Sequence, residues 1–297
     1  MNKILVTGAN GQLGNELRDI DRSGRYAGRY AFVFTDVAEL DITDRAAVRA
    51  FVEAERPAWI INAAAYTAVD RAEEDAERAE LLNAQAVRNL VSAAEATGAR
   101  FIQISTDYVF DGRMPADRRP LAESDPTGPR SVYGATKLKG ERYALGYKRS
   151  FVVRTAWLYS TYGNNFVKTM LRLGAERPEL GVVADQWGTP TYAADLAAAL
   201  LRMAAFCDEH PERAEELFGL YHYTNEGIAT WCDFASKIMR IGGRNCTVKG
   251  IATADYPTPA ERPAWSVLSK KKIRDVFGLE IPDWKESLVR CMTRLLK

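Results

Sequence analysis

The chain begins with a short apolar segment that leads directly into three regularly spaced glycines, and no other feature limits its fold as strongly. Residues 3–8 read KILVTG, and the segment VTGANGQLG places Gly8, Gly11 and Gly14 three residues apart. Such glycines let a turn close and its backbone approach a ligand, while the following helix offers free N–H groups and the positive end of its dipole. The pattern predicts a strand, a phosphate-binding turn and a helix. A turn that binds nothing is the alternative.

Strand and helix patterns alternate through the first half of the chain. Apolar segments at residues 31–36, 58–65, 100–106 and 150–159 are rich in Val, Ile and Phe, as expected of strands covered on both faces. Helical patterns separate them at residues 42–57, where Thr43 fits an N-cap, and at residues 72–98. The alternation predicts an α/β fold with a Rossmann-type doubly wound parallel sheet.

The second half is less regular, and its prolines rule out a helix over residues 252–266. We expect a dinucleotide-binding domain over residues 1–155, joined by a return segment near 180–206. Residues 156–179 and 207–297 should mainly form a smaller, partly irregular substrate-binding lobe.

Composition excludes several kinds of partner and site. The formal net charge of +1 gives no overall field that would attract nucleic acid or a membrane surface. No apolar run approaches the roughly 20 residues of a membrane span, and the N-terminal residues lack a signal-peptide pattern. Four scattered cysteines and two histidines argue against disulfides and a histidine-based metal centre. We expect a cytoplasmic protein without a metal site among these residues.

An acidic residue stands where a dinucleotide would present its adenosine ribose. Asp36 ends the second apolar segment, 22 residues after Gly14. A carboxylate there accepts hydrogen bonds from the ribose hydroxyls and repels a 2′-phosphate, so NADH is favoured over NADPH. A solvated residue at a strand end is the alternative.

Further contacts with the dinucleotide follow from position. Gln12 and Leu13 begin the helix after the glycine turn, and Asp41 and Ile42 would give the adenine a polar contact and an apolar wall. Helix capping is the alternative for that pair. Small residues after the third strand would let a flat ligand lie on the backbone, unless they serve close packing of strand and helix. These residues are Ala63, Ala64, Ala65, Tyr66 and Thr67.

The segment SVYGATK places a phenol and an ammonium on one helical face. Tyr133 and Lys137 are four residues apart, so they are neighbours on a helix. An ammonium near a phenol lowers the tyrosine pKa from about 10, which favours proton transfer at neutral pH. Thr106 ends a central strand, where ligands bind in such sheets, and its hydroxyl can contact the same substrate oxygen. Two long side chains on a helix surface are the alternative.

Together the glycine turn, Thr106 and Tyr133-x-x-x-Lys137 resemble the extended type of the short-chain dehydrogenase/reductase superfamily. The resemblance implies that Tyr133 gives a proton to a carbonyl oxygen while a nicotinamide delivers hydride. It also implies that Thr106 steadies that oxygen and that Tyr133 and Lys137 contact the cofactor, with Lys137 holding the nicotinamide ribose.

Several segments narrow the resemblance. Dehydratases of this superfamily carry Thr-Asp-Glu where this chain has Thr106, Asp107 and Tyr108. The segments STDYVFDG, DQWGTPTYAADLA and YPTPAERPAWSVLS resemble the dTDP-4-dehydrorhamnose reductase family. That family implies reduction of a nucleotide-sugar 4-keto group by NADH or NADPH. Mg²⁺ and a homodimer are also implied, although neither can be assigned to residues.

Four further residues are candidates for binding the nucleotide sugar besides Thr106 and Tyr133. Asp107 would bond a sugar hydroxyl or cap the strand end, and Trp157 would form a wall for the sugar or pack in the core. Asn165 would hold the diphosphate near a helix N-terminus or cap that helix. Arg262 would direct its fork at the diphosphate or remain in solvent.

Two other functions stay open at this point. One is a reductase or epimerase of another nucleotide-linked deoxysugar. The other is a non-catalytic subunit, since the regulatory β subunit of methionine adenosyltransferase is similar to this reductase family. The complete set of Thr106, Tyr133 and Lys137 favours an enzyme.

Overall fold

A computed structural model describes residues Met1–Lys297 and places a six-stranded sheet at their centre. The strands are β1 Asn2–Thr7, β2 Tyr30–Thr35, β3 Trp59–Asn62, β4 Arg100–Thr106, β5 Ser150–Thr155, β6 Leu158–Tyr159, β7 Glu179–Val183, β8 Trp187–Gly188, β9 Thr191–Tyr192, β10 Gly219–His222, β11 Ala229–Thr230 and β12 Thr247–Ile251. The α-helices are α1 Gln12–Arg22, α2 Arg45–Glu55, α3 Val69–Ala72, α4 Ala76–Glu80, α5 Ala86–Thr97, α6 Val132–Leu145, α7 Phe166–Glu176, α8 Ala193–Glu209, α9 Ala214–Leu217, α10 Trp231–Ile241, α11 Lys271–Phe277 and α12 Trp284–Leu295.

The central sheet is parallel throughout, in the order β10-β5-β4-β3-β1-β2. The strand order reverses between β1 and β3, so the carboxyl ends of these strands form the crevice where ligands bind in such folds. The predicted α/β architecture and doubly wound parallel sheet are confirmed.

Helices cover both faces of the sheet, which explains the nearly continuous apolar strands. Helices α1, α8 and α11 bury one face in a cluster that includes Trp59, Phe151 and Leu200. Helices α2, α5 and α6 cover the other face around Leu5 and Ile60. Because strand side chains alternate between faces, each strand supplies both clusters.

A third apolar cluster forms the smaller lobe around α7, α10 and α12, with Tyr159, Phe234 and Trp284 buried in it. Strand β7 pairs with β12 in this lobe, whereas β10 returns to the central sheet as its edge strand. The predicted division of the chain into two parts stays a prediction, and two segments lie elsewhere than expected. Residues 219–222 belong to the central sheet, and residues 180–183 of the return segment pair with β12 in the lobe.

Two local predictions change. Asp44, rather than Thr43, caps α2, because its Oδ1 accepts from the Ala46 and Ala47 amides at 2.8 and 3.0 Å. The helix predicted over residues 72–98 is divided into α3, α4, a π-helical turn at Leu81–Gln85 and α5. None of the helices has the length and apolar character to cross a bilayer.

Candidate active site

The glycine turn between β1 and α1 is packed so closely that side chains would not fit. Gly8 has φ +66°, and a β-carbon there would lie 2.6 Å from the Ala64 nitrogen. A β-carbon at Gly14 would lie 2.5 Å from the Ala9 α-carbon. Gly11 begins α1 without a side-chain cap, so the first-turn N–H groups keep no side-chain partner. This cradle of backbone donors fits a pyrophosphate.

Asp36 lies at the rim of the turn directly after β2. Its two carboxylate oxygens accept from the Asn10 and Val37 amides, each at 2.9 Å. Asp41 instead accepts from the Thr43 amide and hydroxyl at 2.9 and 2.7 Å, and these bonds hold its pKa below the ordinary value. Ile42 is buried against α2 and α5. Asp41 and Ile42 therefore have structural roles here, and their contact with adenine stays a prediction.

A buried polar chain crosses the strand ends at the switch point, and the sequence reasoning missed it. The Thr7 hydroxyl donates to Asn62 Oδ1 at 2.6 Å, and Asn62 Nδ2 donates to Gln103 Oε1 at 2.8 Å. The Ala64 amide also donates to Asn62 Oδ1, at 3.2 Å. These bonds fix the segment that packs against Gly8. The signal in the sequence is a single amide side chain in each of two apolar strands.

Asn83, in the π-helical turn, links the segment after β3 to α6. Its Oδ1 accepts from the Tyr66 amide at 2.9 Å, and its Nδ2 donates to Tyr66 O at 3.1 Å and Thr136 Oγ1 at 3.2 Å. The sequence suggested only an ordinary helical position. Such π-turns are frequent at functional sites, and this one connects the predicted cofactor segment Ala63–Thr67 to the helix that carries Tyr133 and Lys137.

Thr106, Tyr133 and Lys137 lie together at the carboxyl end of β4. Helix α6 begins with Ser131 as its N-cap, which places Tyr133 in the first helical turn. Tyr133 contacts the Thr106 side chain, and Lys137 Nζ donates to the Ile104 carbonyl at 2.6 Å. All three side chains are buried. The structure thus brings together the three residues whose catalytic roles the sequence predicted.

The predicted lowering of the Tyr133 pKa is wrong for this arrangement. Burial raises the pKa of Tyr133 to about 12, and the contact with Thr106 offsets only part of that increase. Burial also lowers the pKa of Lys137 to about 8, against the opposing influence of Glu141. Desolvation by burial is thus the largest influence on the pKa of both groups, while the Lys137 ammonium donates its hydrogen bond to a backbone carbonyl. Tyr133 is therefore a neutral phenol at neutral pH, the form that can donate a proton.

A buried ion pair stands one helical turn beyond Lys137. Glu141 accepts two hydrogen bonds of 2.8 Å from Arg154 of β5, through Nε and Nη2. The Arg154 guanidinium also lies 4.9 Å over the Phe110 ring. The pair fastens α6 to the sheet and was not predicted, because its partners belong to different elements.

Asp107 and Tyr108 follow Thr106 in a short 3₁₀ turn. Asp107 Oδ1 accepts from Thr106 Oγ1 at 2.9 Å, while its buried Oδ2 has no hydrogen-bond partner. Burial raises the pKa of Asp107 to about 6, although neighbouring hydroxyls oppose the shift. Tyr108 packs edge-on against Tyr133, with 5.5 Å between ring centroids. A neutral aromatic side chain thus occupies the position where a dehydratase needs a carboxylate.

Trp157 and Asn165 lie on the lobe side of the site. Trp157 follows β5 with φ +51° and stacks on Trp231. Asn165 caps α7, since its Oδ1 accepts from the Lys168 amide at 3.2 Å. Its Nδ2 donates to Gln12 Oε1 at 3.1 Å, which connects α7 to the glycine turn. Capping is therefore confirmed for Asn165, and its contact with a diphosphate stays a prediction.

Arg262 is neither free nor fully exposed. Its Nη1 and Nη2 donate to the two carboxylate oxygens of Asp70 at 2.8 and 2.6 Å. Both residues line a cleft of about 500 Å³ that extends between α7 and β7. The cleft is half apolar, and its walls include Phe166, Met170 and Val182. The ion pair holds the guanidinium at the cleft wall, where it can face an anion.

The chain brings together no group of three or more His, Cys, Asp or Glu side chains that would hold a metal ion. All four cysteines are free thiols. The Mg²⁺ that the family resemblance implies therefore has no such group of side chains in this chain.

Known proteins match this chain along its whole length. The family model described as RmlD substrate binding domain matches residues 1–297. The dTDP-4-dehydrorhamnose reductase of Aggregatibacter actinomycetemcomitans is 42% identical over 296 residues, which cover 97% of each chain. The crystal structure of a dTDP-4-dehydrorhamnose reductase from Clostridium acetobutylicum has TM-score 0.90 and 42% identity, covering 99% of this chain and 100% of that one. The Bacillus anthracis reductase in complex with NADP has TM-score 0.88 and 38% identity, with the same coverage.

Proposed function

The chain belongs to the dTDP-4-dehydrorhamnose reductase family, and on that premise we propose that Tyr133 is the proton donor of its reaction. The reaction is reduction of the 4-keto group of dTDP-4-dehydro-L-rhamnose to dTDP-L-rhamnose, with a nicotinamide cofactor, at the end of dTDP-rhamnose biosynthesis. The observation that carries the proposal is the convergence of Thr106, Tyr133 and Lys137, all buried, at the carboxyl edge of the parallel sheet that also carries the glycine turn.

The glycine turn and the start of α1 would hold the cofactor pyrophosphate, because Gly8 and Gly14 let the turn pack closely on Ala64 and Ala9 and so shape the cradle. Asp36 would bind the adenosine ribose, and Lys137 the nicotinamide ribose. The nicotinamide supplies hydride to the keto carbon when bound. The residues of this chain bind and orient both ligands and supply the proton.

Tyr133 is suited to donate that proton because it is a neutral phenol held against Thr106. As the keto oxygen gains negative charge, the Thr106 hydroxyl would turn from Asp107 to donate to it, and Tyr133 would pass it a proton. The Lys137 ammonium then stabilises the phenolate until solvent returns the proton. Dehydration is disfavoured, because Tyr108 leaves only one carboxylate at this strand end.

The remaining predicted residues would bind the nucleotide sugar. Asp107 would accept from a sugar hydroxyl through its Oδ2, which is buried without a hydrogen-bond partner, and Trp157 would offer an aromatic face. Arg262 and the amide side chain of Asn165 would act at the diphosphate. Support comes from the cleft of about 500 Å³, which is large enough for a nucleotide.

We expect NADH to be preferred and NADPH to be accepted. Asp36 presents a carboxylate at the ribose rim, where it repels a 2′-phosphate. Asp36→Ser should therefore raise kcat/KM for NADPH relative to NADH by about tenfold. Asp21→Ser, a change of an exposed aspartate on α1, is the matched control and should leave the ratio unchanged. An unchanged ratio in both variants would remove Asp36 from cofactor selection.

The dependence of kcat/KM on pH should be bell-shaped around neutrality. Asp107 loses its charge as the pH falls through its pKa of about 6, which weakens its bond to a sugar hydroxyl. Lys137 loses its ammonium as the pH rises through its pKa of about 8, and the developing phenolate loses its stabilising charge. Asp107→Asn should abolish the acidic limb and keep the basic one. An acidic limb that persists in this variant would contradict the role of Asp107.

The direct test of function mixes folded protein with NADH or NADPH and enzymatically prepared dTDP-4-dehydro-L-rhamnose. Loss of the reduced-cofactor absorbance with formation of dTDP-L-rhamnose is the expected result. Failure to oxidise either cofactor would overturn the assignment. A reductase for another deoxysugar would oxidise cofactor only with that other substrate.

We place the reaction in the cytoplasm, where reduced nicotinamide cofactors are available. A homodimer is retained as an expectation from the family resemblance, to be tested by sedimentation. Magnesium is not assigned to the chain.

A further inference from the structure

Two tryptophans from different elements stack at the wall of the cleft. The rings of Trp157 and Trp231 have centroids 3.5 Å apart and planes within 9° of parallel. Trp231 is the first residue of α10 and lines the cleft beside Phe166, whose ring centroid is 4.7 Å away. The stack therefore joins the wall of the cleft to the short segment between β5 and β6.

Trp157 has a backbone conformation that needs support. Its φ of +51° lies in the left-handed region, which bulky residues other than glycine rarely adopt and which concentrates at functional sites. The carbonyl of Trp157 accepts a hydrogen bond from the Thr191 amide at 3.1 Å. The Trp157 ring packs against Gly188 so closely that a β-carbon on Gly188 would lie 2.6 Å from Trp157 Cε2. The conformation is thus held by contacts on the backbone and on the ring.

Trp231, in contrast, stands on a fixed support. Thr230 and Asp233 form a reciprocal capping box at the start of α10, with the Thr230 amide donating to Asp233 at 2.9 Å and the Asp233 amide donating to Thr230 at 3.1 Å. The strand pair β8–β11 places Ala229 opposite Gly188. The same element therefore positions both Trp231 and the glycine that admits the Trp157 ring.

We propose that Trp231 is a positioning residue that holds the Trp157 indole in place to receive the sugar ring. This inference rests on the proposed function, in which Trp157 binds the sugar. One face of the Trp157 indole is covered by Trp231 and the ring also packs against Gly188, so the hexose would meet the part of the indole that remains exposed. Stacking, rather than direct contact with the reacting atoms, gives Trp231 its role.

The test compares substrate KM, kcat and NADH affinity in Trp231→Leu and Trp231→Phe. Trp231→Leu should raise the KM for dTDP-4-dehydro-L-rhamnose about tenfold, since a lost aromatic stack is of that order. Its kcat and NADH affinity should change by less than about threefold. Trp231→Phe keeps a flat ring and should recover most of the affinity. A folded Trp231→Leu variant with unchanged KM would overturn the proposal.

A double-mutant cycle separates positioning from independent binding. Adding Trp231→Leu to Trp157→Leu should raise KM no further, because the second tryptophan acts only through the first. Phe166 contacts Trp231 and lines the cleft, and it does not stack on the Trp157 ring. The increase in KM caused by Phe166→Leu should therefore add to the increase caused by Trp157→Leu. Additive losses for the tryptophan pair would show that Trp231 binds substrate by itself and would refute positioning.

Gly188→Ala provides a second variant with Trp231 intact. Its methyl group would displace the Trp157 ring and should raise KM as Trp231→Leu does. An unchanged KM in this variant would also count against positioning. If the unaltered protein does not reduce the substrate, the proposed function is refuted. If the unaltered protein reduces the substrate and the KM of Trp231→Leu is unchanged, only the positioning role of Trp231 is refuted.

Discussion

Replacement of Tyr133 by Phe should lower turnover by about a hundredfold or more, because general acid catalysis contributes at least that factor. The phenol is neutral in the buried site, so its proton is available to the keto oxygen. Phe keeps the ring that packs edge-on against Tyr108 and removes only the hydroxyl. NADH affinity should stay nearly unchanged, which is measured by quenching of protein fluorescence alongside the steady-state assay.

Tyr147→Phe is the matched control for this prediction. Tyr147 follows the same helix, and its buried hydroxyl donates to the Ala99 carbonyl at 2.9 Å, away from the strand ends that form the site. The control removes one buried hydroxyl without touching the reaction and should keep turnover within about threefold. Equal turnover in Tyr133→Phe and the unaltered protein would remove Tyr133 from the mechanism.

Glu141→Ala should destabilise the protein by about 3–5 kcal/mol, the usual cost of breaking a buried ion pair on one side. The Glu141 and Arg154 side chains are only 1% and 3% exposed to solvent. The change therefore leaves the Arg154 guanidinium buried without its carboxylate. The midpoint and slope of urea unfolding, followed by circular dichroism, measure the loss.

Glu176→Ala removes a carboxylate from the exposed pair Arg172–Glu176 and serves as the comparison. Water screens that pair, so the loss should be below about 1 kcal/mol. Replacing both Glu141 and Arg154 by Met should recover part of the stability, because neither partner of the ion pair is then left as an unpaired buried charge. Similar unfolding midpoints for Glu141→Ala and Glu176→Ala would refute a structural role for the buried pair.

Much of the sheet and the three central residues of the site could be predicted from the sequence, since their signals are local. The apolar segments predicted β1 to β5 because both faces of each strand are covered. Thr106 was recognised by its position at a strand end, and Tyr133 and Lys137 by their helical spacing. All these patterns lie within about ten residues of chain, where periodicity is informative.

What the sequence could not reveal depends on contacts between distant elements. The pairing of Arg262 with Asp70 joins residues 192 positions apart, so a diphosphate ligand was the only partner the sequence suggested. The pKa of Tyr133 moved opposite to the prediction, because the extent of burial is a tertiary property. Asn62 and Asn83 could not be recognised by periodicity, since each is a single buried amide whose hydrogen bonds join elements that are distant in the sequence.

The position of β10 has a consequence for the order in which the chain can fold during synthesis. The edge of the sheet is completed by residues 219–222, and one face is covered by α8 at residues 193–209. A ribosome-bound chain that ends after β5 therefore leaves Trp59 and Phe151 on a sheet face that only α1 covers. Such surfaces attract chaperones and other nascent chains. The segment with the glycine turn and all three catalytic candidates is therefore fully covered only after α8 and β10 have emerged.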